Sequence, residues 1–319
     1  MRIYRDLDAL RPADLRSPAV TLGVFDGVHE GHRAILGALA EAARRAGGER
    51  VVVTFDRHPR GLLTGDAPPA ITSLEHRLVL FERAAIDAAV VLRFDAALAA
   101  MSAEEFLRDI LVGRIGARAI VLGADGHFGK GRAGGIALLE ARRATYGYEL
   151  CSVPLLEAGA REVVSSTAIR RAVKEGRLDD AARMLGRPVS LLGRVERGQG
   201  RGRTIGFPTA NLALHQELTP PRGVYLGRVE VDMVRYPALV NFGVRPTFTA
   251  DGSEGPPREL VEVHLLGFGG TLYGRVLEVE LIRRLRDERR FASVDELVAQ
   301  IRRDRDEALA DLTGTSTTL

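Results

Sequence analysis

Gly23-Val24-Phe25-Asp26-Gly27-Val28-His29-Glu30-Gly31-His32 decides the fold of the first half of this chain. It stands where an apolar strand pattern, Ala19–Phe25, gives way to an Ala/Leu-rich helical pattern, His32–Ala46, ended by Gly47-Gly48. A buried strand feeding a helix is the unit of a parallel α/β sheet. Ligands of such sheets bind at the carboxyl ends of strands, where this stretch falls. His29 and His32 are three residues apart with Gly31 between them. At a helix N-terminus both imidazoles can face a phosphate, helped by free backbone N–H groups. They would stabilise a phosphate undergoing substitution without acting as nucleophiles. Two other readings compete, a solvated turn and a zinc pair. The zinc pair lacks cysteine partners, and the nearest further histidine, His58, belongs to another loop.

Outward from this junction the alternation continues. Val51–Phe55, Ala89–Leu92, Ala119–Gly123 and Glu149–Pro154 read as strands. Leu74–Ala85, Ala103–Ile115 and Gly135–Tyr146 read as helices, the second behind Ser102 as N-cap with Glu105 three residues on. Short apolar strands between helices predict a parallel sheet of Rossmann-like type. The pattern changes near Leu185-Gly186-Arg187-Pro188. Ser190–Val195, Gly223–Val231, Ala238–Phe242, Val261–Leu266 and Val276–Leu281 read as strands separated by Gly/Pro-rich turns, with no helices between. That is a β-barrel or sandwich pattern. Ser293–Leu312 follows as one amphipathic helix. The halves differ in class, so the reading is two domains, 1–186 and 187–319.

Composition narrows the function. The chain has 319 residues with 45% hydrophobic and 27% charged, an ordinary globular balance. One cysteine, Cys151, excludes a disulfide framework and suits a reducing cytoplasm. No signal peptide and no apolar run long enough to span a membrane is expected. Net charge is +3, aromatics are 5% and Trp is absent, which argues against nucleic-acid binding. Small anionic ligands explain local arginines more economically. The sequence leaves room for a homo-oligomer.

Two more stretches carry chemistry. Gly206-Phe207-Pro208-Thr209-Ala210-Asn211 follows a basic Gly-rich run, Gly198-Gln199-Gly200-Arg201-Gly202-Arg203. Glycines let backbone N–H groups approach phosphate oxygens. Thr209 and Asn211 offer oxygen ligands of the kind a hard cation accepts. No Walker A motif is present, so an ordinary P-loop kinase is excluded. Ser165-Ser166-Thr167-Ala168-Ile169-Arg170 precedes a helix expected over Ala168–Lys174. Ser166 and Thr167 can cap that helix. With Arg170 they can also hold the phosphates of a nucleoside triphosphate.

His-x-Gly-His in the first turn, with Ser-Ser-Thr-x-Ile-Arg late in the same domain, resembles the nucleotidylyltransferase superfamily. The longer string from Gly23 to His32 looks like its FMN adenylyltransferase branch, as do Thr54-Phe55-Asp56-Arg57-His58-Pro59 and Leu122-Gly123-Ala124-Asp125-Gly126-His127-Phe128-Gly129. Gly-Phe-Pro-Thr-Ala-Asn resembles the signature of riboflavin kinase. Together, from about Thr21 to about Leu309, they resemble the bifunctional prokaryotic riboflavin kinase/FAD synthetase family. The resemblance implies an α/β N-terminal domain, a C-terminal antiparallel β-barrel, and riboflavin, FMN and ATP as ligands with Mg2+. On the adenylylation side it puts ATP at Gly23, Phe25, Asp26, His29, His32, Ser166, Thr167 and Arg170. It puts flavin at Phe55, Pro59, Asp125 and Phe128. On the kinase side it puts ATP at Gly198, Gly200, Gly202 and Gly206, with Thr209 and Asn211 on the metal nucleotide. Glu262 matches the carboxylate that deprotonates the ribityl hydroxyl. Asn241, Arg245, Pro246 and Thr247 match one flavin loop, and Arg286 and Phe291 another.

Several positions depart from the family pattern. Arg57 replaces a Pro, Gly126-His127 replaces Phe-Arg, Ala168 replaces an Arg and Gly267 replaces an Asp. The first three predict weaker flavin binding with adenylylation retained, while Gly267 bears on a structural contact of the kinase half and not on its chemistry. Without its Pro-Thr-Ala-Asn neighbour, Glu262 would read as an exposed strand charge. Three other functions are weighed against this one: a nucleotidylyltransferase for another substrate with a regulatory β-domain, a flavin sensor without catalysis, and a nucleic-acid binder.

Overall fold

The computed structural model describes residues 1–155, 157–158, 162–198, 201–248 and 254–314. The side chains of 12, 157–158, 162–163, 201, 245–248, 254–259 and 311–314 lie outside that description. The chain divides into two compact units, Met1–Ala168 and Ile169–Leu319.

In the first unit six strands form one sheet: β1 (Arg2–Tyr4), β2 (Ala19–Leu22), β3 (Arg50–Phe55), β4 (Ala88–Leu92), β5 (Ala119–Gly123) and β6 (Glu149–Val153). Their order is β1-β4-β3-β2-β5-β6, and every neighbouring pair is parallel. β2, β4 and β5 are buried along their whole length and so on both faces, as a parallel sheet requires. One face packs on Leu36, Leu39, Ala42 and Ala43 of α1 (Glu30–Ala46), with Leu78, Leu80 and Phe81. The opposite face packs on Phe106, Leu107, Ile110 and Leu111, with Leu139. Because β2 pairs with β3 on one side and β5 on the other, the chain reverses direction across the sheet at β2. The crevice outside the carboxyl ends of β2 and β5 is therefore the switch point where such sheets bind ligands. It is flanked by the loops that follow Leu22 and Gly123.

Local details differ from the sequence-based expectation. β2 ends at Leu22 rather than Phe25, because Phe25 turns to φ 53° and leaves the extended conformation. The helix expected over Ala103–Ile115 is α-helical only at Ala103–Glu105 and winds as a π-helix through Phe106–Arg114. The late helix covers Ser166–Lys174, two residues earlier than expected. A further helix, Leu178–Leu185, went unread. No helix among the described residues is long and apolar enough to cross a membrane.

The second unit holds a closed antiparallel barrel. The first unit ends with a pair of two-residue antiparallel strands, β7 (Glu157–Ala158) and β8 (Glu162–Val163); the strands of the barrel are β9 (Val189–Glu196), β10 (Ala210–Leu214), β11 (Gly223–Val231), β12 (Val234–Phe248), β13 (Glu254–Leu265) and β14 (Val276–Arg286). The circular order is β10-β13-β12-β11-β14-β9. β10 was unread, and a single helical turn, Arg201–Thr204, interrupts the segment expected to lack helices. One parity of residues, including Leu191, Tyr225, Val229, Val240, Val263 and Val279, is wholly buried and fills the barrel. The other parity faces outward. There Leu226 and Leu239 pack against Ile301 and Ala308 of the C-terminal helix, Val294–Gly314.

Candidate functional site

In the first unit the histidine stretch is built by strain and capping. Phe25 and Val28 both take positive φ (53° and 41°), flanking Gly27 at 86°. A β-branched residue there is strained and needs outside support. Asp26 supplies it: its buried carboxylate accepts from the Ile71 and Thr72 amides at 3.2 and 3.0 Å, and Gly27 N–H donates to Thr72 Oγ1 at 2.9 Å. Asp26, expected on the ATP side, thus anchors the loop. His29 caps α1, its Nδ1 accepting from the His32 amide at 3.3 Å. A neutral His29 ring therefore carries its proton on Nε2. The two imidazoles stack 3.6 Å apart at 17°. Burial, then His29 and then the Arg77 charge, hold the His32 pKa well below the ordinary imidazole value. His32 Nδ1 is buried without a hydrogen-bond partner.

The segment at Ser165 meets this loop. Ser166 Oγ donates to the Asp26 carbonyl at 3.0 Å. The helix cap is Ser165, whose hydroxyl accepts from the Ala168 amide, rather than Ser166 or Thr167. Arg170 lies one helical turn beyond Ser166 on the same helix.

On the expected flavin side, Phe55 and Phe128 are buried rather than open. Phe55 meets Phe94 edge-on at 5.4 Å, and Phe128 lies 5.7 Å from Phe106. Asp125 is exposed, and Pro59 opens a short helix, Pro59–Thr64, whose Leu62 and Leu63 are exposed.

Arg77 went unread. Its guanidinium is buried and donates to the Val24 carbonyl, Thr54 Oγ1 and the Phe55 carbonyl at 2.5, 2.8 and 3.1 Å. It ties the carboxyl ends of the first two strands of the motif together and places a cation beside the histidines. The signal was there: Leu74, Arg77, Leu78 and Phe81 share one helical face.

In the second unit a row of paired residues crosses the barrel wall. Asn211 on β10 pairs with Glu262 on β13, Glu262 with Asn241 on β12, Asn241 with Val224 on β11, and Val224 with Arg286 on β14. All five line one cavity of about 470 Å³. Thr209, Phe207, Gly202, His264, Phe291, Leu297, Ile301 and Asp304 also line it, as do Leu239, Glu288 and Arg289. A volume of a few hundred Å³ suits a small organic ligand, and its wall mixes apolar side chains with polar and charged ones.

The glycine run closes over this row. A Cβ on Gly198 would lie 1.8 Å from Asn211 Nδ2, and one on Gly202 would lie 3.0 Å from Thr209 Oγ1 and 2.3 Å from the Phe207 carbonyl. At Gly202, against a backbone carbonyl, only glycine allows that approach. Gly206 takes φ 83° at the turn into the strand. Gly200 lies outside the described residues, as do the side chains of Arg245, Pro246 and Thr247.

Arg286 is fixed from behind. Its guanidinium meets both oxygens of Asp304, which is 2% exposed and also accepts from Gln300 Nε2 at 2.7 Å. Phe291 lies under Arg286 and Arg289, at 5.7 and 4.8 Å. Asp304 was unread, although it sits between Ile301 and Ala308 on the apolar face of the last helix.

Two family models match the chain: FAD synthetase over residues 11–168 and riboflavin kinase over 185–312. The bifunctional riboflavin kinase/FMN adenylyltransferase of Escherichia coli (strain K12) is 39% identical over 310 residues, covering 95% of this chain and 96% of that protein. The protein of the same name from Bacillus subtilis (strain 168) is 33% identical, covering 91% of each. A crystal structure described as a macrolide-efflux protein from Streptococcus pneumoniae superposes with a TM-score of 0.78 at 31% identity, covering 95% of this chain and 97% of that one. The chain belongs to the bifunctional riboflavin kinase/FMN adenylyltransferase family.

Proposed function

We propose that the chain makes FAD from riboflavin in two ATP-dependent steps, phosphorylation within 187–319 and adenylylation within 1–186. The observation that carries the kinase step is the Asn211–Glu262–Asn241 row on one cavity wall. Glu262 orients the ribityl hydroxyl and takes its proton as the oxygen attacks the γ-phosphorus of ATP, and ADP leaves. Such transfer needs a positioned hydroxyl more than a strong base. Asn241, Arg286 and Phe291 hold the flavin, and the apolar wall of Val224, Leu239 and Ile301 excludes water from it.

Thr209 and Asn211 fit magnesium, since both offer hard oxygen donors against glycines whose Cβ would crowd them, Asn211 at Gly198 and Thr209 at Gly202. Magnesium bound with the nucleotide would neutralise charge on the phosphoryl group. The cytoplasm is the compartment that the single cysteine suits.

In adenylylation an FMN phosphate oxygen attacks the α-phosphorus of ATP, and pyrophosphate leaves. His29 and His32, at the N-terminus of α1, stabilise the charge of that phosphate. Ser166, Thr167 and Arg170 hold the triphosphate. Chromatography of products from riboflavin, ATP and magnesium tests both steps. FMN and FAD are expected in succession; neither product would reject the reading, and FMN alone would reject the second step.

A further inference from the structure

We propose that His264 is a positioning residue for the kinase step, holding the Pro208 carbonyl so that Thr209 and Asn211 present their oxygens together. The proposal rests on the reading of those two residues as the magnesium-nucleotide ligands. The pairing of β10 with β13 is short: Ala210 opposes Val263 and Asn211 opposes Glu262, and the ladder goes no further toward Thr209. Pro208 has no N–H to extend it. His264 is the next residue of β13 in that direction and lies on the same strand face as Glu262. Its Nδ1 lies 2.8 Å from the Pro208 carbonyl oxygen. A carbonyl only accepts, so the ring donates from Nδ1. The Phe207 ring meets the imidazole edge-on at 5.4 Å and 77°, and the Phe207 amide is bound to the Gly202 carbonyl at 2.8 Å. Thr209 is thus held from both sides, by the side-chain bond at Pro208 and by the ladder at Ala210. The imidazole does at Pro208 what a ladder bond cannot.

The donor is separable from the ring's bulk. His264→Asn keeps an N–H near the Nδ1 position, whereas His264→Leu keeps bulk without a donor. Two measurements need no turnover: calorimetric affinity for ADP with magnesium, and amide hydrogen exchange of a peptide covering 207–212 in ligand-free protein. The Leu variant should bind magnesium-ADP about threefold to tenfold more weakly, the range one hydrogen bond commands, and exchange faster over 207–212. The Asn variant should stay within about twofold of the parent. Magnesium-ADP affinity of the Leu variant equal to the parent's, or equal loss in both variants, overturns the proposal. Thr209→Val separates this from failure of the underlying reading. If Thr209→Val leaves magnesium-ADP affinity unchanged, the site assignment itself is wrong; if it weakens affinity while His264→Leu does not, only the role of His264 is. Circular dichroism and a thermal melt report on folding of the barrel, and His264→Met replaces the Leu variant if that chain does not fold.

Discussion

Asn211 and Glu262 stand directly opposite each other on neighbouring antiparallel strands, and Asn241 opposes Glu262 from the other side. Directly opposed residues hold their Cβ atoms about 5 Å apart on one face. Two carboxamides therefore flank one carboxylate; under the proposed assignment Asn211 faces the nucleotide and Asn241 the flavin, with Glu262 between them. Glu262→Gln keeps the shape and removes the base. Riboflavin phosphorylation should fall by about 10²- to 10⁴-fold, while conversion of supplied FMN to FAD stays near the parent rate. The two rates, measured separately, decide it: equal loss in a folded variant would mean that the activities do not have separate sites.

His32 makes stability and binding depend on pH. Its folded-state pKa is depressed, first by burial, then by His29 and Arg77. The unfolded imidazole titrates near its ordinary value of about 6.5. Between the two pKa values the unfolded chain binds a proton that the folded chain refuses, so stability rises with pH and is lost as pH falls below about 6.5. For one proton the slope is at most about 1.4 kcal/mol per pH unit. Thermal melts from pH 7.5 to 5.5 should show a shallower decline in His32→Gln. A triphosphate beside the ring should restore its affinity for a proton. ATP binding near pH 6 should then take up a proton in the parent and none in the variant, as calorimetry in buffers of different ionisation enthalpy would reveal. His32→Ala should stop FAD formation and let FMN accumulate.

Arg77 should matter to one activity only. Arg77→Met leaves the Phe55 carbonyl and Thr54 Oγ1 without the guanidinium donor and takes from the Val24 carbonyl one of its two donors, the other being Thr54 Oγ1. Orphaned buried groups cost about 1–3 kcal/mol each, and partial rearrangement brings the expected loss to roughly 3 kcal/mol in denaturant melts. The KM for ATP in adenylylation should rise, because Val24 stands in the loop that carries the histidines, just past the end of β2. Riboflavin phosphorylation should keep its rate. A variant that loses both rates equally would count against Arg77 as a residue of the first site.

Periodicity revealed the parallel sheet because its strands are short, apolar and separated by helices. It concealed β10, since Pro208-Thr209 reads as a loop and Asn211 interrupts an otherwise apolar run. Pro237 and Pro246 likewise hid the ends of β12, which runs through both. Register was out of reach for a different reason. Which residue opposes Glu262 depends on closure of the whole barrel, a non-local event that no local pattern encodes. Arg77 and Asp304 were overlooked because a charge on an apolar helical face reads as an imperfection in the pattern. Each becomes explicable only once its partners, brought from distant strands, are in place.

That logic gives the last prediction. Asp304 is buried on the C-terminal helix and holds Arg286, itself 19% exposed, at the end of β14. Asp304→Asn removes the charge while preserving the shape, leaving the guanidinium without its counter-ion. Breaking a buried pair costs about 3–5 kcal/mol, and the partial exposure of Arg286 favours the lower end of that range. Arg286 and Phe291 share a cation–π contact on the cavity wall, so a loosened guanidinium should free the ring as well. The KM for riboflavin should rise about tenfold or more, with the KM for ATP and the FMN-to-FAD rate little changed. Arg286→Gln should produce the same rise, and the double variant no more than either single one, because the two side chains act as a unit. Additive losses in that cycle would show that Asp304 acts on the fold and not through Arg286.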